Sequence, residues 1–355
     1  MLSPKSVLSR TGSPEPAAAM AFAALPACVV PENVCTDRDC HVLLDNMLAT
    51  LPENEKAKLA DLHSIIDNMC VLKRHFVRPV EECIKGDGEA VRAQIYTKAC
   101  INLSIQATQR ALDSVGATPK DIHAIVAVSC TGFLFPSLAA HLIERMGFDA
   151  SCRTYPVAQW GCAGGGGGLS LAATHCQANP THNVLFVCAE FCSLLYRKDV
   201  VDKPTMICDM LFGDAASGQV VCGRDSALLA ARKAWPCQSL LSLHQTGSFR
   251  VPNSTGFMSY ETKDDGWHFN LTKDVPGSMP RVVPAMKQWV VDTCGQDPLD
   301  PSLEFLAHTG GPRVLRDLMK HFFEDAPEGS LTVESEPLSP KSPLFKMNVP
   351  NHEKC

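Results

Sequence analysis

The chain has 355 residues, 45% hydrophobic and 20% charged, with a formal net charge of −6. That profile belongs to a globular protein with a large buried core. Acids and bases are interspersed without a basic run, which excludes nucleic acid as an expected partner, and no stretch approaches the roughly 20 apolar residues of a membrane span.

Seventeen cysteines form an odd set that sits mostly in apolar company, as in VAVSCTG, LFVCAEFC and TMICDM. They predict reduced, buried thiols in a cytoplasmic protein rather than a disulfide frame. Cys35 with Cys40, Cys188 with Cys192, and His175 with Cys176 are conceivable ligand pairs. None belongs to a paired CxxC set, so no metal is expected.

At the amino terminus, Lys5 and Arg10 precede an apolar run from Ala17, a superficially signal-like order. Pro14, Glu15 and Pro16 stand before that run and Pro26 lies inside it. Residues 1–19 are therefore read as a disordered lead, with an organelle presequence as the alternative. A helical pattern covers 42–63 and a longer one 89–114. Branched apolar residues in IHAIVAVSCTG predict a buried strand. A helix over Ser137–Met146, the segment RTYPVAQWG, a helix opening on five glycines, and a buried strand NVLFVCAE follow. MLFGDAASGQVVCG closes this half, residues 20–225, as turn plus strand.

The second half, 226–325, echoes the first. MPRVVPAMKQWVVDTCG reads as helix, QDPLDPS as loop, and LEFLAHTGG as a strand ending in a polar residue and Thr-Gly. The same order occurs in SIQATQRALDSVGATPKDIHAIVAVSCTGF, so a duplicated α/β layered domain is predicted. It puts His308 and Cys130 at equivalent strand ends. Residues 326–355, rich in proline and serine, read as a disordered tail.

Cys162 opens the glycine-run helix in YPVAQWGCAGGGGGL. It is either one more small core residue or a nucleophile. The positive end of a helix favours thiolate, and the unbulky neighbours give a substrate room. His308, followed by glycines and a proline, is a structural histidine or a partner able to hold a thiolate or donate to a carbonyl oxygen. A dinucleotide cradle, with Glu190 as ribose acid, is a weaker reading because five consecutive glycines match GxGxxG almost automatically.

Four segments, GCAGGGGGL, LFGDAASG, WHFNLTKDVPG and HTGGPRVL, together with CTGFLFPSL and ALPACVVPENV, resemble the type III polyketide synthases. This is the chalcone and stilbene synthase family, here nearest the bacterial type, and the resemblance spans about residues 20–325. It implies a thiolase-like duplicated α/β/α/β/α layered fold and a homodimer that uses acyl-CoA and malonyl-CoA, without metal or other cofactor. Cys162 matches the acylated nucleophile and His308 the histidine supporting thiolate and oxyanion. Phe212 and Phe269 match two gatekeeping aromatics, Cys130 and Thr131 cavity-lining positions, and Phe135 a residue reaching toward the partner's cavity. The implied reaction is a decarboxylative Claisen condensation giving a pyrone, resorcinol or chalcone-type product.

The resemblance also implies an asparagine in a G-N-x-S-S segment. The sequence holds no such segment, and Asn348 and Asn351 lack its flanks, so that role is carried to neither. The second half is expected to diverge near residue 325 and to be incomplete. Two further readings stay open: a non-catalytic truncated or splice-variant homologue, with or without pairing to a full-length subunit, and a ketoacyl-synthase III-like condensing enzyme.

Overall fold

A computed structural model describes residues 19–324 apart from 50, 60, 70, 84–86, 197–202, 264–265, 301–305 and 309. The expected lead and tail lie outside the described residues, save Ala19. In chain order the elements begin with β1 (Ala21–Ala24), β2 (Ala27–Val29), β3 (Asn33–Thr36), α1 (Asp37–Ala49), α2 (Glu53–Lys58), α3 (Leu62–Asn68), β4 (Lys73–Phe76) and α4 (Val80–Cys83). Then come α5 (Glu89–Val115), β5 (Ala124–Val128), α6 (Leu138–Met146), β6 (Arg153–Val157), α7 (Gly164–Ala178), β7 (Asn183–Phe191), α8 (Lys203–Leu211) and β8 (Asp214–Gly223). The chain continues with α9 (Ala227–Ala230), β9 (Leu240–Leu243), β10 (Met258–Lys263), β11 (Gly266–Leu271), α10 (Met279–Trp289) and α11 (Pro312–Phe322).

Among the described residues, seven strands form one mixed sheet in the order β6-β5-β7-β8-β1-β9, with β2 also paired to β8. Strand alternation sorts its side chains into two cores. Ile125, Ala127, Leu185, Val187, Ala189, Val220 and Cys222 face α5 and α6. Ala124, Val126, Val128, Val184, Phe186 and Val221 face α7, meeting Ala172, Ala173 and Cys176. Both faces are covered, which is why β5 reads as an unbroken apolar run. β9, from beyond residue 225, joins this sheet beside β1.

The pattern over 42–63 resolves into parts of three helices. α1 starts earlier because Thr36 and Asp39 form a reciprocal cap: the Thr36 amide donates to Asp39 Oδ2 at 2.8 Å and the Asp39 amide to Thr36 Oγ1 at 3.2 Å. It stops before Pro52, whose extended backbone (φ −61, ψ 150) begins α2, since the residue ahead of a proline is pushed out of helical geometry.

The second half is thinner. β10 and β11 make a separate hairpin, and α10 and α11 pack together. The strand expected before His308 is not formed over Leu306–His308, which are non-regular; residues 301–305 and Thr309 lie outside the described residues.

Candidate active site

The parallel strands β5, β6 and β7 end on the same side of the sheet, where antiparallel β8 begins. Carboxyl ends of parallel strands are where an open α/β layer leaves a crevice. Cys130 and Thr131 follow β5, Cys162 follows β6, Glu190 is in the last turn of β7's pleat, and Asp214 opens β8.

Cys162 sits on a single 3₁₀ turn, Gly161–Ala163, directly before α7. Gly161 has φ +52, a left-handed conformation that swings the chain from strand to helix. The glycines beyond it seat α7. A Cβ on Gly164 would lie 2.6 Å from Val128 Cγ1, one on Gly167 2.5 Å from Trp160 Cε3, and one on Gly168 would overlap the Phe186 ring. Gly165 and Gly166 meet nothing within 4 Å. Close approach is thus to the sheet and Trp160 rather than around the thiol.

Glu190 organises the loop after β5. Its carboxylate accepts from the Cys130 amide at 3.0 Å, the Thr131 amide at 3.1 Å and Thr131 Oγ1 at 2.8 Å. Thr131 Oγ1 in turn accepts from the Phe191 amide at 2.8 Å. With its oxygens engaged internally, Glu190 is not placed as a ribose acid. Burial raises its carboxyl pKa against these hydrogen bonds. Burial, and then the Glu190 charge, push the Cys130 thiol up to about 12, and Cys162 faces it within electrostatic reach.

The helix-end expectation for Cys162 is corrected. The residue is exposed, yet its surroundings raise its pKa through desolvation, Glu190 adds to the rise, and only a backbone hydrogen bond opposes it. No cation enters the balance, so the resting group is a thiol.

His308 stands on the loop leading to Gly311 and α11, exposed but sufficiently enclosed that desolvation lowers its pKa. It is neutral at pH 7. It makes no hydrogen bond or ion pair with Cys162 in this structure. Its loop adjoins the end of α8: a Cβ on Gly311 would lie 3.8 Å from Leu211 Cδ2.

The next residue, Phe212, meets Phe269 of β11 edge to face, with ring centroids 6.3 Å apart and planes at 75°. Tyr260 stands 4.9 Å from Phe269. These rings line a cleft of about 30 Å³ with Cys192 and Cys208. Two phenylalanines widely spaced in sequence are thereby brought together. Phe135 is not among them; it is 86% exposed, close to Phe133, which is also bare.

Asp214, quoted in the sequence within LFGDAASG but given no role, anchors the floor. It accepts from the Val77 amide at 2.8 Å, the Ser193 amide at 2.8 Å and Ser193 Oγ at 2.5 Å. Burial pushes its carboxyl up to about 6. An acid between apolar flanks was the available signal. Among the described residues no group of three or more candidate ligands gathers for a metal, and no helix is long and apolar enough to cross a membrane.

Residues 11–226 match the family model described as chalcone and stilbene synthases, N-terminal domain. The chain belongs to the chalcone and stilbene synthase family. It is 36% identical over 310 residues to a 1,3,6,8-tetrahydroxynaphthalene synthase of Streptomyces griseus, covering 87% of this chain and 78% of that protein. A phloroglucinol synthase of Pseudomonas fluorescens is 31% identical over 302 residues, 85% of this chain and 82% of the relative. The crystal structure of the Streptomyces coelicolor tetrahydroxynaphthalene synthase, a bacterial type III polyketide synthase, superposes with a TM-score of 0.76 at 32% identity, over 88% of this chain and 83% of that one. The fold of this type III polyketide synthase relative is accordingly thiolase-like.

Proposed function

We propose that this protein condenses malonyl-CoA onto an acyl-CoA starter held as a thioester on Cys162. The observation that carries the reading is the position of Cys162. It stands bare at the mouth of α7, on the same end of the sheet as Glu190 and Cys130, with the Phe212–Phe269 pair beside Cys192.

The steps follow from these groups. Cys162 starts protonated, so loading requires a base, and a neutral imidazole at His308 supplies one. The thiolate attacks the starter carbonyl and the CoA thiolate leaves. Malonyl-CoA then loses carbon dioxide, and the enolate carbon attacks the Cys162 thioester. A carbon–carbon bond forms and the Cys162 sulfur departs. The amides and hydroxyl fixed by Glu190 hold Cys130 and Thr131 rigid along the growing chain. Phe212 and Phe269 form the gate through which the acyl group passes. Names of the relatives put phenolic rings first among the products to be sought. Phe135, bare on the surface, is suited to fill a second copy's cavity.

The test is incubation of the purified protein with malonyl-CoA alone and with a series of acyl-CoA starters. Expected are carbon dioxide release, a phenolic, resorcinol or pyrone product by mass spectrometry, and an acyl adduct on the intact chain that Cys162→Ala abolishes. Light scattering on the same sample is expected to return twice the chain mass. A folded protein that forms no adduct and releases no carbon dioxide would instead support the non-catalytic reading.

A further inference from the structure

Away from the cleft, α1, α3, the antiparallel pair β3–β4 and α8 enclose a separate core that includes Leu44, Ile66, Phe76, Met206 and Met210. Inside it, Cys35 of β3 and Cys40 in the first turn of α1 bring their sulfurs to 3.7 Å. Both are sealed from solvent, at 0% and 1% exposure.

Arg74 lies directly opposite Cys35 in the antiparallel pair and is only 3% exposed. Its Nη1 donates to the Val71 carbonyl at 3.3 Å, while Nε and Nη2 have no partner. A buried guanidinium with two idle donors is costly unless an anion faces it. Asp39, which acts electrostatically on the same two sulfurs, is engaged by the amide and hydroxyl of Thr36. The Arg74 charge acts on both thiols.

We propose that Cys35 and Cys40 are a reactive dithiol, sharing one proton opposite Arg74, which a peroxide converts to a reversible disulfide. The hydrogen bond between them lowers the Cys40 thiol and raises that of Cys35, and the Arg74 charge favours the thiolate of both. Cys40, in the first turn of α1 where the helix end favours a thiolate, is assigned as the attacking sulfur and Cys35 as the resolving one.

In the first step the Cys40 thiolate attacks one oxygen of hydrogen peroxide. The O–O bond breaks, hydroxide leaves and takes a proton as water, and Cys40 carries a sulfenic acid. In the second step the Cys35 sulfur attacks the Cys40 sulfur. The S–O bond breaks, and the hydroxyl leaves with the Cys35 proton as a second water. Two thiols have lost two electrons and the peroxide has gained them. Closing the bond brings the sulfurs from 3.7 Å to about 2.05 Å. A cavity of about 20 Å³ touches Leu43, Phe76, Cys83 and Met210 of this core. Neither Cys35 nor Cys40 lines it, so peroxide reaches the sulfurs by local opening of this core rather than through the cavity. Among the described residues no third candidate metal ligand gathers with the two sulfurs.

Trypsin makes the test direct, because Arg38 lies between the two cysteines. The native full-length protein is treated with one equivalent of hydrogen peroxide, alkylated in denaturant and digested without reductant. The expected result is residues 11–38 linked to residues 39–56, with fragmentation placing the bond on Cys35 and dithiothreitol releasing it. The link should persist in Cys28→Ser, since Cys28 shares the first peptide, and Cys35→Ser should leave a sulfenic acid on Cys40 that dimedone captures. Recovery of residues 39–56 fully alkylated, or a link that depends on Cys28, would overturn the proposal. Both readouts are independent of polyketide synthesis, so failure of the assay for condensation leaves this test intact.

Discussion

Cys162 combines two properties that pull in opposite directions: it is bare to solvent, and its proton is held tightly. Only the thiolate alkylates, so below the pKa the rate rises about tenfold per pH unit. Iodoacetamide labelling of Cys162, read by peptide mass spectrometry, should therefore climb from pH 7 to beyond 9. A flat profile from pH 6 to 8 would mean a preformed thiolate and sink this account. Removing the charge in Glu190→Gln should speed labelling at pH 7 by about 3- to 10-fold, the size of one partly screened charge. The sequence made the thiol visible through its unbulky neighbours. It concealed the sign of the pKa, because that is set first by how the fold encloses the thiol and then by Glu190, which lies 28 positions further on (190 − 162) and meets the thiol only once β6 and β7 flank β5.

The glycines of α7 divide by what lies across from them. Gly168 faces Phe186 and Val128, and Gly166 faces open space. Gly168→Ala should destabilise the protein by about 1–3 kcal/mol through overpacking, whereas Gly166→Ala should stabilise it by up to about 1 kcal/mol through helix propensity. Urea midpoints of the two variants read the difference in sign, and equal shifts would contradict the packing described here. Elements of this kind were legible: α5, β5, α6 and β7 fall within a few residues of their patterns because each presents a continuous buried face. Of the strand expected before His308 only Leu306–His308 are described, and those three are irregular.

Two buried groups set opposite tilts on the stability of the whole protein. Asp214, raised from 3.8 to about 6, contributes stability that is present below pH 4 and lost as pH rises through 6. His175 is nearly sealed beneath Tyr155 and His182, which it meets at 3.0 and 3.1 Å. Desolvation first, and then His182, lower its pKa from 6.5 to about 4, so its contribution is present above pH 6.5 and lost as pH falls through 4. Each is worth about 3 kcal/mol over its window, and the windows overlap. Relative to the parent, His175→Gln should make stability fall more steeply from pH 4 to 6.5, and Asp214→Asn should make it rise. Denaturant midpoints across that range check the signs; parallel curves for all three proteins would refute the offset. Neither group was legible beforehand, as both shifts come from packing between distant strands.

The place of β1 carries a consequence for biosynthesis. Ala21 pairs with Gly223 on one side and with Leu243 on the other. The earliest described strand thus has both neighbours about 200 residues later in the chain. At about 5–20 residues per second, β1 waits on the order of 10–40 s for them. During that interval the nascent chain holds a short apolar segment that nothing can yet shelter, a natural target for a trigger-type chaperone. An early strand is thereby among the last to find its place, and it enters between two partners rather than starting a sheet of its own.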